Sequence, residues 1–327
     1  MTLKLNVKPR EFHIAGGFAI ARGRRTHAHV VEVTLSEGPY RGYGECIPYP
    51  RYGESVEGVC ASIQNMASKL SSGLGRLSLQ ELMPAGAARF ALDAALWDLQ
   101  AKQSGTSVAS LLGLDPLKPV VTAFTISVGS PQKMGEDAAK AAHRPLLKVK
   151  LAGDDDGERI KAVRSAAPKS NLIVDANEAW CEQTLHENMR ACQEAGVGLI
   201  EQPLPAGEDH ILANIEHLVP ICADESLHTS ADLPMLKSRY SAVNIKLDKT
   251  GGLTEALKLM ADAKSMGFTT MVGCMLGSSL AMAPAFMLAQ KADYVDLDGP
   301  LLLSEDRANG FHFEGSLMHP PSPHLWG

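Results

Sequence analysis

From Val120 onward, short β-branched or apolar runs alternate with helical stretches rich in Ala, Leu and charge. This alternation constrains the fold most, because it is the pattern of βα units feeding a parallel sheet. The runs are VVTAFTISVG, LLKVKL, NLIVDAN, LIEQPL, PICADES, AVNIKLDK, TTMVGCML and YVDLDG, which makes eight candidate strands. One residue near the end of each, from the second run on, gives Lys150, Asp175, Glu201, Asp224, Lys246, Cys274 and Asp298, at steps of 25, 26, 23, 22, 28 and 24 residues. Each step has about the length of one strand, one helix and two short loops. Eight such units, with reactive side chains at the strand C-termini, predict a (β/α)8 barrel whose active site lies at that face. An open doubly wound sheet would carry a glycine-rich turn after its first strand, and no G-x-G-x-x-G occurs.

The N-terminal third reads differently. Two alternating strand patterns, HAHVVEVTL and the RGYGECIPYP region, precede helical patterns through ARFALDAALWDLQAK. Residues 1–117 are therefore expected to form an α+β capping domain and residues 118–300 the barrel, with the turn formers of GLDPLKP between them. The Pro-rich tail from about residue 300 has no readable place, packing with the cap being one option.

Composition excludes several classes of function. With 31 Lys and Arg against 37 Asp and Glu, the formal charge is −6, so no basic field exists to attract nucleic acid or an anionic membrane. The six cysteines form no C-x-x-C pair and read as free thiols of a reducing compartment. MTLKLNVKPREFHIAGG lacks the apolar core of a signal peptide, and the apolar stretch from Gly277 is shorter than the ~20 residues of a membrane span. A cytoplasmic enzyme acting on a small molecule is expected. A homo-oligomer is left open.

Strand alternation sends Lys148 and Lys150 to one face, and likewise Lys246 with Asp248 and Asp296 with Asp298. Any one pair could be a solvated strand end. The apolar Val149 and Leu247 on the other face argue that the charges enter the barrel instead. Asp175, Glu201 and Asp224 end three successive strands. Each alone could cap a helix, but three converging carboxylates repel one another unless a cation neutralises them. An all-oxygen set without His or Cys favours Mg²⁺ over zinc. Strands in a closed barrel of eight are ~45° apart, so the second and sixth face each other across the axis. Lys150 and Lys246 then flank the centre, with the carboxylates on the arc between them and Asp296 and Asp298 opposite that arc. A substrate carboxylate held by the ion places its α-carbon between two amines. A cationic group of the substrate can reach the aspartates. Removing the α-proton builds an enediolate dianion, which the cation stabilises, and returning a proton from the other face inverts the centre. A lysine base requires a lowered pKa, for which the ion and Lys148 beside Lys150 are the expected cause. This is racemisation or epimerisation.

Through LLKVKL, VDAN, EQPL, ADES and NIKLDKTGG the chain resembles the enolase superfamily, in its muconate-lactonizing subgroup, and the similarity covers nearly the whole chain, GYGECIPYPRYGES included. A Lys or His base working with Mg²⁺ is the superfamily's device. GCML at Gly273 and DLDGP at Asp296 are similar to the dipeptide epimerases within it. The resemblance implies a modified barrel with a closing cap, Lys150 and Lys246 as the two acid/base catalysts, and Asp175, Glu201 and Asp224 as Mg²⁺ ligands. It further implies an L-Ala-D/L-Glu type of dipeptide whose α-ammonium binds Asp296 and Asp298, and a place in peptidoglycan recycling. For the glutamate carboxylate, IARGRRTH offers Arg22, Arg24 and Arg25. Arg22 and Arg25 are taken as the candidates, and an exposed basic loop is the bland alternative. Lys148, Thr125, Cys274 and Leu276 complete the expected substrate contacts, Gly277 keeping bulk low. Asn177 and Asp248 are expected to support the site, and Glu178 and Glu225 to be structural. The rivals are an epimerase of another dipeptide, a cycloisomerase or an o-succinylbenzoate synthase of the same fold, a Schiff-base aldolase using either lysine, and a non-catalytic binding barrel.

Overall fold

The computed structural model describes residues 3–327. The cap begins with an antiparallel sheet of β1 (Lys4–Ile20), β2 (Gly23–Glu37) and β3 (Tyr40–Cys46). Val31, Val33 and Leu35 alternate inward along β2, toward the long helix Ala87–Ser104. That helix lies very close to β3. A Cβ on Gly42 would stand 2.2 Å from the Ala95 carbonyl oxygen, and one on Gly44 would stand 2.1 Å from that of Ala91. The helix is buried nearly all round, Arg89, Asp93 and Asp98 included, because the sheet lies on one side and the barrel on the other. Arg89 crosses to the barrel, donating to the Thr250 and Gly251 carbonyls at 2.6 and 3.1 Å. Gly44→Ala is expected to push this helix off the sheet and cost about 1 to 3 kcal/mol, as overpacking does. A lowered Tm in thermal unfolding checks it, and an unchanged Tm would contradict the close approach.

Eight parallel strands form the barrel in sequence order: Phe124–Ile126, Leu146–Lys150, Asn171–Asp175, Val197–Glu201, Ile221–Ala223, Ala242–Lys246, Thr269–Gly273 and Tyr294–Asp296. The first and eighth are joined by the Ala123 N–H donating to the Val295 carbonyl at 2.8 Å, which nearly closes the sheet. The architecture is thus α/β, a modified (β/α)8 barrel under an N-terminal α+β cap. One inward residue from each strand region, Ala123, Leu146, Ile173, Leu199, Cys222, Ala242 and Met271 with Tyr294, builds an apolar floor. Outward residues such as Val149, Val174, Ile200, Val243 and Val272 join the core beneath the helices. Every charged inward residue therefore lies in the upper half of the barrel.

Several expectations are corrected. The first run does not make one strand: Val120–Val121 pairs with Leu317–Met318 of the tail, and only Phe124–Ile126 enters the barrel. The crossovers after the fourth and fifth strands carry 3-10 turns and a four-residue helix, Leu233–Leu236, in place of full helices. Asp156 of the DDD run is not solvated. It is 1% exposed and accepts from the Ala152 and Gly153 N–H groups and from the Trp180 indole at 3.0, 2.8 and 2.8 Å. The tail reaches the cap helix, where the Trp326 indole donates to the Ala94 carbonyl at 3.0 Å. Among the described residues, no helix is long and apolar enough to cross a membrane.

Candidate active site

Lys150, Asp175, Glu201 and Lys246 are the last residues of their strands, and Asp224 directly follows its strand. The carboxylate oxygens of Asp175, Glu201 and Asp224 lie within 4.8 Å of one another, all three side chains being buried. Lys150 Nζ sits 2.6 Å from Asp175, on one flank of this trio. On the other flank, Lys246 Nζ sits 2.6 Å from Asp224 and 3.8 Å from Glu201. Lys148, one layer deeper, reaches Glu201, Asp296 and Asp175 at 2.6, 2.8 and 3.2 Å. Lys148 thus ties three buried carboxylates together, hydrogen-bonding Asp296, while its side chain also reaches the cavity wall.

The electrostatics follow from these pairs. Burial pushes Asp175 up, but Lys150 and Lys148 outweigh it and hold the carboxyl well below its ordinary range. Lys246 and Lys249 do the same for Asp224. Glu201 is raised, by burial first and then by Asp175. The Lys246 ammonium is also raised, because the attraction of Asp224 and Glu201 exceeds the effect of burial. For Lys246 this is opposite to the lowered base pKa expected from the sequence, because carboxylates are its nearest charges. The donor set fits a hard divalent ion: three buried carboxylates converge, and no nitrogen or sulfur ligand stands among them. Asp175, Glu201 and Asp224 would hold such an ion, which would supply positive charge to the trio in place of the lysines.

Backbone and neighbouring side chains aim the trio. Asn177, Glu178 and Gln202 adopt positive φ of 47, 68 and 35° directly after the acidic strand ends, strain of the kind held at functional sites. The Asn177 N–H donates to Asp175 at 2.9 Å. Gln202 accepts the Asp224 N–H at 2.9 Å, and Asn244 donates to Glu201 at 2.7 Å. Lys249 pairs with Asp224 at 2.5 Å and also binds its carbonyl. Asp248 does not enter the barrel. The strand ends at Lys246 and a helical turn, Leu247–Thr250, carries Asp248 to the cap, where it accepts the Ile47 N–H at 2.7 Å.

Phe18, Ile20, Tyr49 and Tyr52 of the cap roof the cavity above the lysines, and Thr125, Asn177, Cys274, Leu276, Asp296 and Asp298 also line it. Asp296 gives one oxygen to Lys148, and its Oδ1 is buried without a hydrogen-bond partner. Asp298 accepts the Thr125 N–H at 2.7 Å, and its carboxyl is pushed up to about 7 by burial and by Asp296. The Thr125 backbone is thus committed to Asp298, while the residue lines the cavity. Burial, with the two aspartates, raises the Cys274 thiol well above its ordinary value, which suits a lining group and not a nucleophile.

The three arginines of the cap loop separate cleanly. Arg22 donates to Glu225 at 2.7 Å, the Asn177 carbonyl at 3.0 Å, Glu178 at 3.1 Å and the Tyr49 hydroxyl at 3.3 Å. Its charge is thereby committed to latching the cap onto the loops that carry Asp175 and Asp224. Arg24 turns back to the Gly16 carbonyl at 2.9 Å. Arg25 lines the cavity, stacks on Tyr49 at 4.8 Å from the ring centroid and makes no ion pair among the described residues. Glu178 and Glu225 take the structural place expected, Glu178 also clasping Arg51 with two bonds of 2.8 Å. Sequence reasoning missed Lys249, Asn244, Gln202 and the roof tyrosines. Only Lys249, the last residue of NIKLDK, carried a signal, as one more lysine beside an acidic centre.

The chain is similar to known proteins along nearly its whole length. Residues 4–113 match the mandelate racemase/muconate lactonizing enzyme N-terminal domain, and residues 133–322 match the enolase C-terminal domain-like family. L-Ala-D/L-Glu epimerase of Escherichia coli (strain K12) is 48% identical over 304 residues, 92% of this chain and 95% of the relative. N-acetyl-D-glutamate racemase of a Pseudoalteromonas species is 48% identical over 301 residues, 91% and 95% of the two chains. A crystal structure of an enolase family member from Agrobacterium tumefaciens, described as having homology to dipeptide epimerases and holding sodium and L-Ala-L-Glu with an ordered loop, is 54% identical. It superposes with a TM-score of 0.98 over 99% of this chain and 100% of its own. The chain belongs to the mandelate racemase/muconate lactonizing enzyme family of the enolase superfamily.

Proposed function

We propose that the protein epimerises the glutamyl α-carbon of L-Ala-D/L-Glu by two-base proton transfer, with Mg²⁺ as cofactor. The observation that carries this reading is the placement of Lys150 and Lys246 on opposite flanks of the acid trio, at the walls of one cavity. One amine removes the α-proton and the other delivers a proton to the opposite face, so the pair produces inversion. Asp175, Glu201 and Asp224 would hold the ion, which when bound supplies positive charge to the substrate carboxylate as it becomes an enediolate. Arg25 offers its unpaired charge to the glutamate side chain. Tyr49, Tyr52 and Phe18 line the same cavity as the amines.

A second reading has its own support. N-acetyl-D-glutamate racemase is as similar as the E. coli epimerase, and its named substrate shares the acylated glutamate but lacks the ammonium. The eighth strand favours the dipeptide. Two buried aspartates, one with an unpartnered oxygen and the other raised to about 7, form a place whose cost falls when a cation arrives. The test is pH-dependent kcat/KM for L-Ala-L-Glu and N-acetyl-L-Glu. Because the Asp298 pKa is raised, its charge is present above about 7 and lost below it. The dipeptide profile is therefore expected to carry a falling acid limb that the acetyl compound lacks. Asp298→Asn is expected to lower kcat/KM for the dipeptide by about 10- to 100-fold, the loss of a charge-assisted bond, and to remove the extra limb. Higher kcat/KM for the acetyl compound, with no dipeptide penalty in Asp298→Asn, would favour the racemase.

A further inference from the structure

At the N-terminal end of the barrel, away from the lysines, the tail forms a short hairpin, Phe313–Glu314 with Leu317–Met318. Its second strand pairs with Val120–Val121, just ahead of the first barrel strand. Phe313 faces Met318, so the next pair outward is His312 and His319, joined by the His319 N–H donating to the His312 carbonyl at 3.0 Å. Cross-strand partners hold their Cβ atoms ~4.5 to 5.5 Å apart. Strand alternation puts Glu314, two residues on, on the same face as His312. Three potential ligands thus share one small patch.

Their geometry is informative. The imidazole centroids are 5.0 Å apart, and the Nε2 atoms of His312 and His319 lie 3.5 and 3.3 Å from the same Glu314 oxygen. All three donor atoms fall within 4.8 Å of one another. Hydrogen bonds between such groups are shorter, ~2.7 to 3.2 Å, and the buried His319 Nε2 makes none. Two ligands of a tetrahedral zinc ion, each ~2.0 to 2.1 Å from it, stand about 3.3 to 3.4 Å apart. The observed spacing is that of a coordination edge. Arg144 pins the turn by donating to the Gly315 carbonyl at 2.9 Å and the Ser316 hydroxyl at 3.2 Å, so the ligand-bearing strands are held in register without an ion.

We propose that His312, Glu314 and His319 form a second metal site, for a borderline ion of the Zn²⁺, Co²⁺ or Ni²⁺ class, with a remaining coordination position open to water. Two imidazoles and a carboxylate suit such ions, whereas the acid trio in the barrel is an all-oxygen set. The two sites therefore discriminate by ligand chemistry. Glu314 is 62% exposed and His312 69%, so entry is unobstructed. A bound ion clips the hairpin and, through Val120–Val121, ties the tail to the start of the barrel.

The test uses the full-length protein, stripped with chelator and then kept in saturating Mg²⁺ so that the barrel site is filled. Calorimetric titration with Zn²⁺ and visible absorption with Co²⁺ are expected to show one binding event in the unaltered protein that His312→Ala loses and Glu314→Gln weakens. Zn²⁺ is expected to raise the Tm of the unaltered protein and not that of His312→Ala. Turnover supported by Mg²⁺ is expected to be unchanged in both variants. Equal stoichiometry and affinity for Zn²⁺ in all three proteins would overturn the assignment.

Discussion

Lys150→Ala and Lys246→Ala are each expected to lower kcat for L-Ala-L-Glu by about 10² to 10⁴, the range for loss of a positioned proton-transfer group. The structure separates this loss from a folding defect. Without Lys150, Asp175 keeps Lys148 at 3.2 Å, and without Lys246, Asp224 keeps Lys249 at 2.5 Å. Neither truncation strands a buried carboxylate. Near-UV circular dichroism and Tm should stay close to those of the unaltered protein. Lys148→Ala is the contrast. It removes the charge shared by Glu201, Asp296 and Asp175 in the buried layer, and breaking such a network costs about 3 to 5 kcal/mol. A lysine variant that keeps both fold and turnover would end the two-base reading.

Removal of the metal should be as damaging as removal of a base. Chelation is expected to abolish turnover and Mg²⁺ to restore it, with Glu201→Gln insensitive to both. Glu201 stands at the middle of the trio, where one oxygen accepts from Asn244 at 2.7 Å and the other faces Lys148 at 2.6 Å. A glutamine has only one acceptor oxygen, so its amide must point a donor at another donor, and the central ligand loses its charge. Mg²⁺ at a hundred times its Kd should stabilise the unaltered protein by about 2.7 kcal/mol, measured as a rise in Tm, and should leave Glu201→Gln unmoved. A Schiff-base aldolase would show the opposite, with activity indifferent to chelator and an adduct trapped by borohydride.

The parts of the site that were legible in the sequence are those dictated by period. A strand's two-residue alternation and a βα step of 22 to 28 residues place Lys150, Asp175, Glu201, Asp224 and Lys246 around one barrel mouth without any contact being known. Alternation fails where a strand stops. Asp248 lies two residues after Lys246, which on a continuing strand sends it to the interior, yet the helical turn beginning at Leu247 redirects it to the Ile47 N–H of the cap. Long-range pairing was illegible for a different reason. Which of Arg22, Arg24 and Arg25 keeps a free charge depends on Glu225 and Glu178, some 150 to 200 residues away, and no local pattern encodes that partnership. The same holds for Val120–Val121, whose apolar run looks like the barrel's first strand but is captured by Leu317–Met318.

Deuterium exchange in D₂O at the glutamyl α-carbon, followed by ¹H NMR for each lysine variant with L-Ala-L-Glu and L-Ala-D-Glu, tests the opposed amines most directly. Each variant retains one amine, so Lys150→Ala is expected to exchange one diastereomer only and Lys246→Ala the other. Exchange of the same diastereomer by both variants would place the two amines on one face of the substrate and contradict the account.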